Sequence, residues 1–322
     1  MEILAFISSF TLTHFLLASL QTIEGEDPPP TCRPIGRMFP LRTANRWYIL
    51  GTAQHPPVRI GGLDLVESDA LRLARQAYDR GDMWEAKQLI EQVLAEPPSD
   101  DRLARTRLLA GEIYRYIGDA HEALVHLRSL IDHWHDYPAS RPLLEAYAYH
   151  DMGLAYRQQR KYGEALRCAE TAGRLWAEWG FRLGVIWSTL NQAWLLCLLD
   201  RSADARKLLE GIREQVDQAD DAECQWGLRL GFAHVAISGG DAEEALRLAG
   251  TLIDQPDTVP VGMLAQAHVI AGRALLSMGD GQAAMVAAQT AQSVAMRCAE
   301  ARVLNDAQAL LRRIQLASSE GA

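Results

Sequence analysis

The stretch LLAGEIYRYIGDAHEALVHL, from Leu108 to Leu127, contains two helical patterns separated by a Gly-Asp dipeptide. Gly118 can adopt the left-handed conformation that ends a helix, and Asp119 can cap the free amide groups at the start of the next helix. Glu122 follows three residues later, the position that completes a capping box and suits the helix dipole. The small residues Gly111 and Ala123 allow two helices to cross closely. This stretch therefore predicts a pair of packed helices.

The same arrangement recurs along the chain. Gly-Asp is found again at 81/82, 240/241 and 279/280, each time between two apolar patterns of helical period. A second clear copy is HDMGLAYRQQRKYGEALRCAETA, from His150 to Ala172, in which the corresponding places are held by Gly153, Tyr156, Tyr162 and Ala165. A small residue, an aromatic residue three positions on, a turn and an Ala early in the second helix together resemble the tetratricopeptide repeat.

The Ala early in each second helix marks the length of the repeat. These residues are 37 to 42 positions apart and comprise Ala86, Ala123, Ala165, Ala205, Ala245 and Ala284. Two copies depart from the pattern, because Asp200-Arg201 replaces the Gly turn before Ala205 and the copy at Ala284 is rich in Ala throughout. Between Ala123 and Ala165, two prolines at 138 and 142 predict an extended loop or a lengthened first helix.

The repeat pattern predicts the fold class and the domain boundaries. We expect an all-α protein, and the resemblance implies a right-handed α-solenoid of about six tetratricopeptide-like helix pairs over residues 66–317. A last amphipathic helix, at about 300–316, is expected to cap the open end of the solenoid. Residues 318–322 are predicted to be a disordered tail, and residues 1–64 to be an atypical N-terminal segment.

Charge and cysteine content limit the classes of partner and compartment. A formal net charge of −9 and a pI near 5.5 argue against a surface that binds nucleic acid or an anionic membrane. The five cysteines (32, 168, 197, 224 and 298) form no C-x-x-C pair, and four of them fall in helical patterns. This usage is typical of a reducing compartment, so we expect a cytoplasmic protein with buried thiols.

The first twenty residues, MEILAFISSFTLTHFLLASL, are apolar enough to suggest an exported or membrane-anchored segment. They fit both roles poorly. A signal peptide needs a positive start, whereas the early charge here is Glu2, and a spanning helix needs an apolar centre, whereas Ser8, Ser9, Thr11, Thr13 and His14 interrupt this one.

The sequence from Phe15 to Leu41 resembles the second half of an Xre-type helix-turn-helix domain. The matching residues are Leu20, Ile23, Glu24, Gly25, Pro29, Ile35 and Phe39, and WYILG at 47–51 is similar to the end of that domain's last helix. One residue is missing between Glu24 and Gly25, and the first two helices have no counterpart. The segment is therefore either a decayed or truncated DNA-binding domain or a linker of similar sequence.

The resemblance implies a bacterial transcriptional regulator in which a tetratricopeptide sensor follows the DNA-binding domain. In that family the solenoid binds a signalling peptide or a protein and mediates dimerisation, so a homodimer is one expectation. DNA binding is not expected of this chain, because a recognition helix without its two supporting helices has no core to hold it in the groove.

The sequence lacks the common motifs for catalysis, metal binding and cofactor binding. The sequence has no phosphate-binding Gly-Lys-Ser/Thr loop, no Gly-x-Ser-x-Gly elbow and no C-x-x-C pair. His121 and His126 are five positions apart, which places them about 140° apart around a helix and excludes the H-E-x-x-H zinc arrangement. We therefore expect no enzyme activity, no cofactor and no metal.

A ligand groove is predicted on the first helices of the pairs, which line the concave side of such a solenoid. The inward positions, counted from the Ala series, include Arg105 and Glu112. The candidate binding residues are Arg115, Tyr116, Tyr147, His150, Arg157, Trp187, Asn191, Trp194, His234 and Arg273. Arg can bind a carboxylate, Asn can pair with a peptide backbone, and Trp offers flat apolar area.

Two alternatives remain open at this point. The tryptophans at 176, 179, 187 and 194 have helical spacing and are also consistent with inter-repeat core, and Arg115 and Arg157 are equally able to pair with acidic neighbours. The leading functional prediction is a sensor or adaptor that binds a peptide or protein in its groove. The alternative is a structural assembly scaffold, anchored or exported through its apolar N-terminus.

Overall fold

The computed structural model describes residues 69–98, 101–133, 141–297 and 301–320. These residues form thirteen α-helices, and the described part of the chain contains no strand. The helices are α1 Asp69–Arg80, α2 Met83–Ala95, α3 Asp101–Tyr116, α4 Ala120–Asp132, α5 Arg141–Gln158, α6 Tyr162–Glu178, α7 Arg182–Leu198, α8 Ser202–Ala219, α9 Ala222–Ser238, α10 Ala242–Ile253, α11 Val261–Ser277, α12 Gly281–Arg297 and α13 Ala301–Glu320. The predicted segment 1–64, with its helix-turn-helix resemblance and Cys32, lies outside this part of the chain, as does Cys298.

The turn between the two helices of a pair follows the chemistry of the Gly-Asp dipeptide. Gly118 has φ 92°, a left-handed conformation, and Asp119 Oδ1 accepts a hydrogen bond of 3.1 Å from the amide of Glu122. The same cap is made at the other three turns, by Asp82, Asp241 and Asp280. The predicted helix boundaries at these turns are confirmed.

The repeat that lacks the Gly turn keeps the same backbone path. Asp200, between α7 and α8, has φ 57° and so takes the left-handed place of the glycine. Asp tolerates this conformation better than most residues. The tetratricopeptide-like spacing is therefore maintained although the dipeptide is absent.

Close helix crossings occur where the small residues lie. All six residues of the Ala series are fully buried. A Cβ at Gly153 would lie 3.2 Å from the backbone oxygen of Ala165, so a larger residue at this crossing would push the two helices slightly apart. At Gly111, a Cβ would meet the side chain of Leu127 at 2.6 Å. The neighbour of Gly111 is thus Leu127, one turn beyond the predicted Ala123.

Successive pairs stack into the predicted all-α solenoid of six helix pairs with one further helix. α3 contacts α5, α7 contacts α9, α9 contacts α11, and the last helix packs on α11 and α12. The buried side of α13 consists of Val303, Ala307, Leu310 and Ile314, which gives it the predicted capping role. α13 continues to Glu320, three residues past the boundary predicted at 317.

The long connection before the third pair leads into a lengthened first helix. α5 has eighteen residues and begins at Arg141, so Pro142 lies in its first turn, where no intrahelical amide donor is needed. Residues 134–140, which include Pro138, lie outside the described part of the chain.

Candidate functional site

Four of the predicted site residues form one cluster across three repeats. Arg157 Nη1 on α5 donates a hydrogen bond of 2.7 Å to Asn191 Oδ1 on α7, and the Arg157 guanidinium lies 4.1 Å from the centre of the Trp194 ring. Trp194 in turn stacks on His234 of α9, with 5.0 Å between ring centres and 23° between ring planes. We call these four residues the Arg157 cluster. Flat and cationic groups therefore meet at this place.

The junction that holds the Arg157 cluster is bridged by side chains. The backbones of α5 and α7 approach each other less closely than those of α3 and α5 or of α7 and α9. Long side chains such as Arg157 span the extra distance. Contact between these two first helices is therefore made mainly by side chains.

The Asn191 side chain is held in one orientation, which leaves the N–H groups of its amide without a hydrogen bond to the described part of the chain. Arginine has no acceptor, so the atom that receives its hydrogen bond must be the amide oxygen. The Asn191 side chain is buried, 7% of the residue is exposed, and Nδ2 has no hydrogen-bond partner among the described residues. A buried amide donor without a partner is costly, which makes this atom a candidate contact for a ligand.

Buried ion pairs join the first three repeats. Arg115 Nε on α3 lies 3.1 Å from Asp151 Oδ1 on α5, and Arg75 Nη1 on α1 lies 3.0 Å from Glu112 Oε2 on α3. At least nine-tenths of each of the four side chains is buried. Of the two alternatives for Arg115, the structure thus shows the acidic neighbour. Arg115 Nη2 nevertheless remains buried without a hydrogen bond among the described residues.

Burial perturbs the titration of these groups. Burial raises the pKa of the Glu112 carboxyl to about 7, with Arg75 opposing the effect. Burial also raises the pKa of Asp151, against the opposing charge of Arg115. The pKa of His150 is lowered to about 3, first by burial and then by the positive charges of Arg115 and Arg157. At neutral pH, His150 is therefore an uncharged neighbour of the two arginines.

One residue of this region was missed by the sequence analysis. Gln158, the last residue of α5, donates a hydrogen bond of 3.0 Å from Nε2 to the backbone oxygen of Arg115. It lies seven positions after Asp151, two helical turns along the same face of α5, so both residues face α3. Gln158 belongs to no motif, because a Gln near a helix end has no sequence signature of its own.

The remaining predicted residues have mixed environments. Tyr147 and His150 are buried and pack on the fully buried Trp176, with ring centres 5.8 and 5.3 Å away, so they contribute to the core. Tyr116 is half-buried and meets Tyr78 edge-on at 5.5 Å. Trp187 is half-buried against the core. Arg105 on α3 and Arg273 on α11 are also half-buried.

Some of the tryptophans belong to the inter-repeat core and others to the candidate binding site. Trp176 is fully buried core, whereas Trp179, at the end of α6, is 54% exposed. Trp187 and Trp194 are intermediate, and of these two Trp194 takes part in the Arg157 cluster. Within one series of tryptophans at helical spacing, Trp176 therefore lies in the core and Trp194 lies in the candidate site.

Three of the cysteines lie in buried environments, and His126 lies in a stacked one. Cys168, Cys197 and Cys224 are buried free thiols, and burial raises the pKa of each. His126 stacks on Tyr114, with ring centres 5.4 Å apart. Within residues 69–98, 101–133, 141–297 and 301–320, no three His, Cys, Asp or Glu side chains are grouped so that they could hold a metal ion.

Of the helices described here, none combines the length and the apolar character that crossing a bilayer would require.

Comparison with known proteins finds similarity at the level of the fold. No protein-family model matches the sequence, and no curated protein matches it. The structure of NprR in complex with its cognate peptide NprX is similar with a TM-score of 0.47 and 17% identity, covering 76% of each chain. A tetratricopeptide repeat protein from Parabacteroides merdae is similar with a TM-score of 0.46 and 15% identity, covering 74% of this chain and 97% of that one.

The apo form of RapI gives a comparable match, with a TM-score of 0.46, 14% identity, and coverage of 78% of this chain and 71% of that one. At these identities the comparisons concern the fold. The repeat, the capped helix pairs and the terminal helix define a tetratricopeptide-like α-solenoid.

Proposed function

We propose that this protein is a non-catalytic sensor or adaptor that binds an extended segment of a peptide or protein on the first helices of its pairs. The proposal depends on one observation, the hydrogen bonding of the buried Asn191 side chain. Its oxygen is held by Arg157, and its buried amide donor has no partner among the described residues. Such a donor fits the carbonyl oxygen of a bound peptide.

The surroundings of Asn191 support a peptide ligand. Trp194 and His234 provide flat rings that contact apolar side chains with little loss of conformational entropy. Arg115, on α3 two repeats away, adds a second buried donor. Since these groups belong to first helices α3, α7 and α9, a ligand that touches all of them is extended across the repeats.

We further propose that the protein is related to a class of bacterial regulators. The resemblance of residues 15–41 supports a relationship to bacterial helix-turn-helix regulators with tetratricopeptide sensors. In that role the protein is cytoplasmic, the solenoid detects a peptide signal, and the chain forms a homodimer. The proposed function includes no cofactor, no metal and no DNA binding.

A peptide-display selection tests the proposed function. The full-length chain is immobilised and used to select from a displayed library of random octapeptides. We expect an enriched sequence family whose binding to Arg157→Ala protein is at least about tenfold weaker, because Asn191 then loses the group that holds it.

The control is Arg174→Ala on α6, which removes an exposed arginine paired with Glu178. It should bind the selected peptides as the unaltered chain does. No enrichment, or equal binding by the Arg157→Ala protein, would overturn the proposal. Self-association beyond a dimer in the absence of any selected peptide would favour the assembly scaffold instead.

A further inference from the structure

Gln158 carries an acceptor that complements the donor of Asn191. The backbone oxygen of Arg115 can only accept, so the Gln158 atom that contacts it at 3.0 Å must be the amide nitrogen. The other end of the side chain, Oε1, is buried and has no hydrogen-bond partner among the described residues. Gln158 therefore offers an oriented acceptor, just as Asn191 offers an oriented donor.

The presence of both polarities narrows the chemical class of the ligand. An isolated carboxylate only accepts hydrogen bonds and leaves Gln158 Oε1 unsatisfied. A peptide main chain offers both a carbonyl oxygen and an N–H group at every residue other than proline. Leaving a buried amide atom without a partner costs free energy, so a ligand that satisfies both atoms gains affinity.

We infer that Gln158 and Asn191 recognise the main chain of the ligand, with Gln158 Oε1 accepting from a ligand N–H and Asn191 Nδ2 donating to a ligand carbonyl. The inference rests on the proposed function and adds to it a binding residue and a mode of recognition. Recognition of this kind is largely independent of the ligand's side chains. Selectivity then comes from the neighbouring rings and charges.

The two amides lie on opposite sides of α5. Gln158 reaches α3, whereas the adjacent Arg157 reaches Asn191 on α7. Closely packed helix axes are about 8–10 Å apart, and α5 and α7 approach each other less closely than their neighbours do, so the two amides are separated by roughly three or more residues of extended chain. The two hydrogen bonds therefore go to different peptide groups, and the ligand crosses α5 on its way from α3 to α7.

Access to these atoms requires a local change. Neither Gln158 Oε1 nor Asn191 Nδ2 contacts solvent. The junction between α5 and α7 is bridged by the half-buried Arg157, with less backbone contact than its neighbours have. Movement of the Arg157 side chain would open the approach to Asn191 Nδ2, and movement of the Gln158 side chain on the α3 side would expose Oε1.

Backbone N-methylation provides the test. An octapeptide obtained by the display selection is resynthesised with each N–H methylated in turn, and binding to the full-length chain and to Gln158→Met is measured by calorimetry. We expect one methylated position to weaken binding to the unaltered chain by about tenfold or more, and to have little further effect on Gln158→Met. Gln159→Met, at the next position, serves as the matched control and should retain the sensitivity.

The outcomes separate this inference from the proposed function. If no octapeptide is enriched, the proposed function itself fails. If a peptide binds but each methylation costs the same in both proteins, Gln158 does not accept from the ligand, and an ordered water that satisfies Oε1 is the remaining explanation. Gln158→Ala replaces Gln158→Met if the Met variant has a lower melting temperature than the unaltered chain.

Discussion

Arg157 and Asn191 connect the third and fourth helix pairs by one hydrogen bond of 2.7 Å, from Nη1 to Oδ1. Because the donor is an arginine, the bond fixes which end of the Asn191 amide points away. The buried Nδ2 therefore has one fixed orientation, which in the proposed function would be present before a ligand binds. Such preorganisation reduces the entropy lost on binding.

Replacement of Asn191 tests whether this orientation matters. We expect Asn191→Ala to weaken binding of a selected octapeptide about tenfold, since a ligand carbonyl loses its donor. Helical content should not change, because the side chain of Asn191 contributes to none of the helix caps. Calorimetry and far-ultraviolet circular dichroism measure the two quantities.

The control for this substitution is Asn305→Ala, at an exposed position of α13. It should leave both affinity and helicity unchanged. Equal affinity of the Asn191→Ala protein would remove Asn191 from the binding site.

The buried pair Arg115–Asp151 gives a prediction about stability. Asp151→Ala leaves the Arg115 charge buried without its partner and should lower the free energy of unfolding by about 3–5 kcal/mol. The double variant Arg115→Met/Asp151→Leu removes both charges and should be more stable than the single variant. Urea denaturation monitored by circular dichroism measures both values.

An exposed pair provides the comparison. Arg174 and Glu178 lie 2.6 Å apart, and more than half of each side chain is exposed. Glu178→Ala should therefore cost less than about 1 kcal/mol. A double variant at 115 and 151 that is less stable than Asp151→Ala would show that the pair itself stabilises the fold beyond the cost of an isolated charge.

The sequence predicted the repeat because its signals are local. The conformation of Gly118 and the cap of Asp119 depend on residues within one turn. A small residue such as Gly153 is needed where two helices cross closely. The fold class was therefore predicted correctly, including the number of pairs and the terminal helix. The position of Gln158 Nε2 on the Arg115 carbonyl depends on how two repeats stack, which no local pattern specifies.

The candidate site also combines features that follow from local sequence with features that depend on how the repeats stack. Helical periodicity placed Arg157, Asn191 and Trp194 on first helices, and the structure brings them together with His234. Periodicity alone did not separate them from His150, which belongs with the core around Trp176. The distinction depends on the distance between α5 and α7, a property of the assembled solenoid.

The capping aspartates give a prediction about local stability. Asp241 Oδ1 accepts a 3.0 Å hydrogen bond from the amide of Glu244, at the start of α10. Asp241→Ala should lower the free energy of unfolding by about 1 kcal/mol, whereas Asp241→Asn retains an acceptor and should lose much less. Thermal denaturation of the two variants measures the difference. Equal melting temperatures for the Ala and Asn variants would mean that the side-chain acceptor does not stabilise this turn.

The pKa of Glu112 predicts a dependence of stability on pH. Burial raises this pKa from an ordinary value of 4.5 to about 7. Because the folded-state pKa lies above that of the unfolded chain, the stability associated with Glu112 is fully present below pH 4.5 and is lost as the pH rises towards 7. Gln is neutral throughout, so the stability of Glu112→Gln relative to the unaltered chain should rise with pH over this range.

Urea denaturation at several pH values between these limits measures the effect. The lowered pKa of His150 acts in the opposite direction, but it is present in both proteins and largely cancels in the difference. Glu210→Gln, at an exposed position of α8, is the matched control and should give a difference that does not vary with pH. A constant difference for Glu112→Gln would show that burial does not raise its pKa.

The repeat register itself is tested at the Ala series. Ala123 is fully buried near the start of α4, close to where this helix crosses α3. A Leu there adds three carbon atoms to a packed site, so Ala123→Leu should lower the free energy of unfolding by about 1–3 kcal/mol. Ala203→Leu adds the same atoms at an exposed position of α8 and should change stability by less than about 0.5 kcal/mol. If the two variants melt at the same temperature, the assignment of Ala123 to a helix crossing is wrong, and with it the register from which the candidate binding residues were counted.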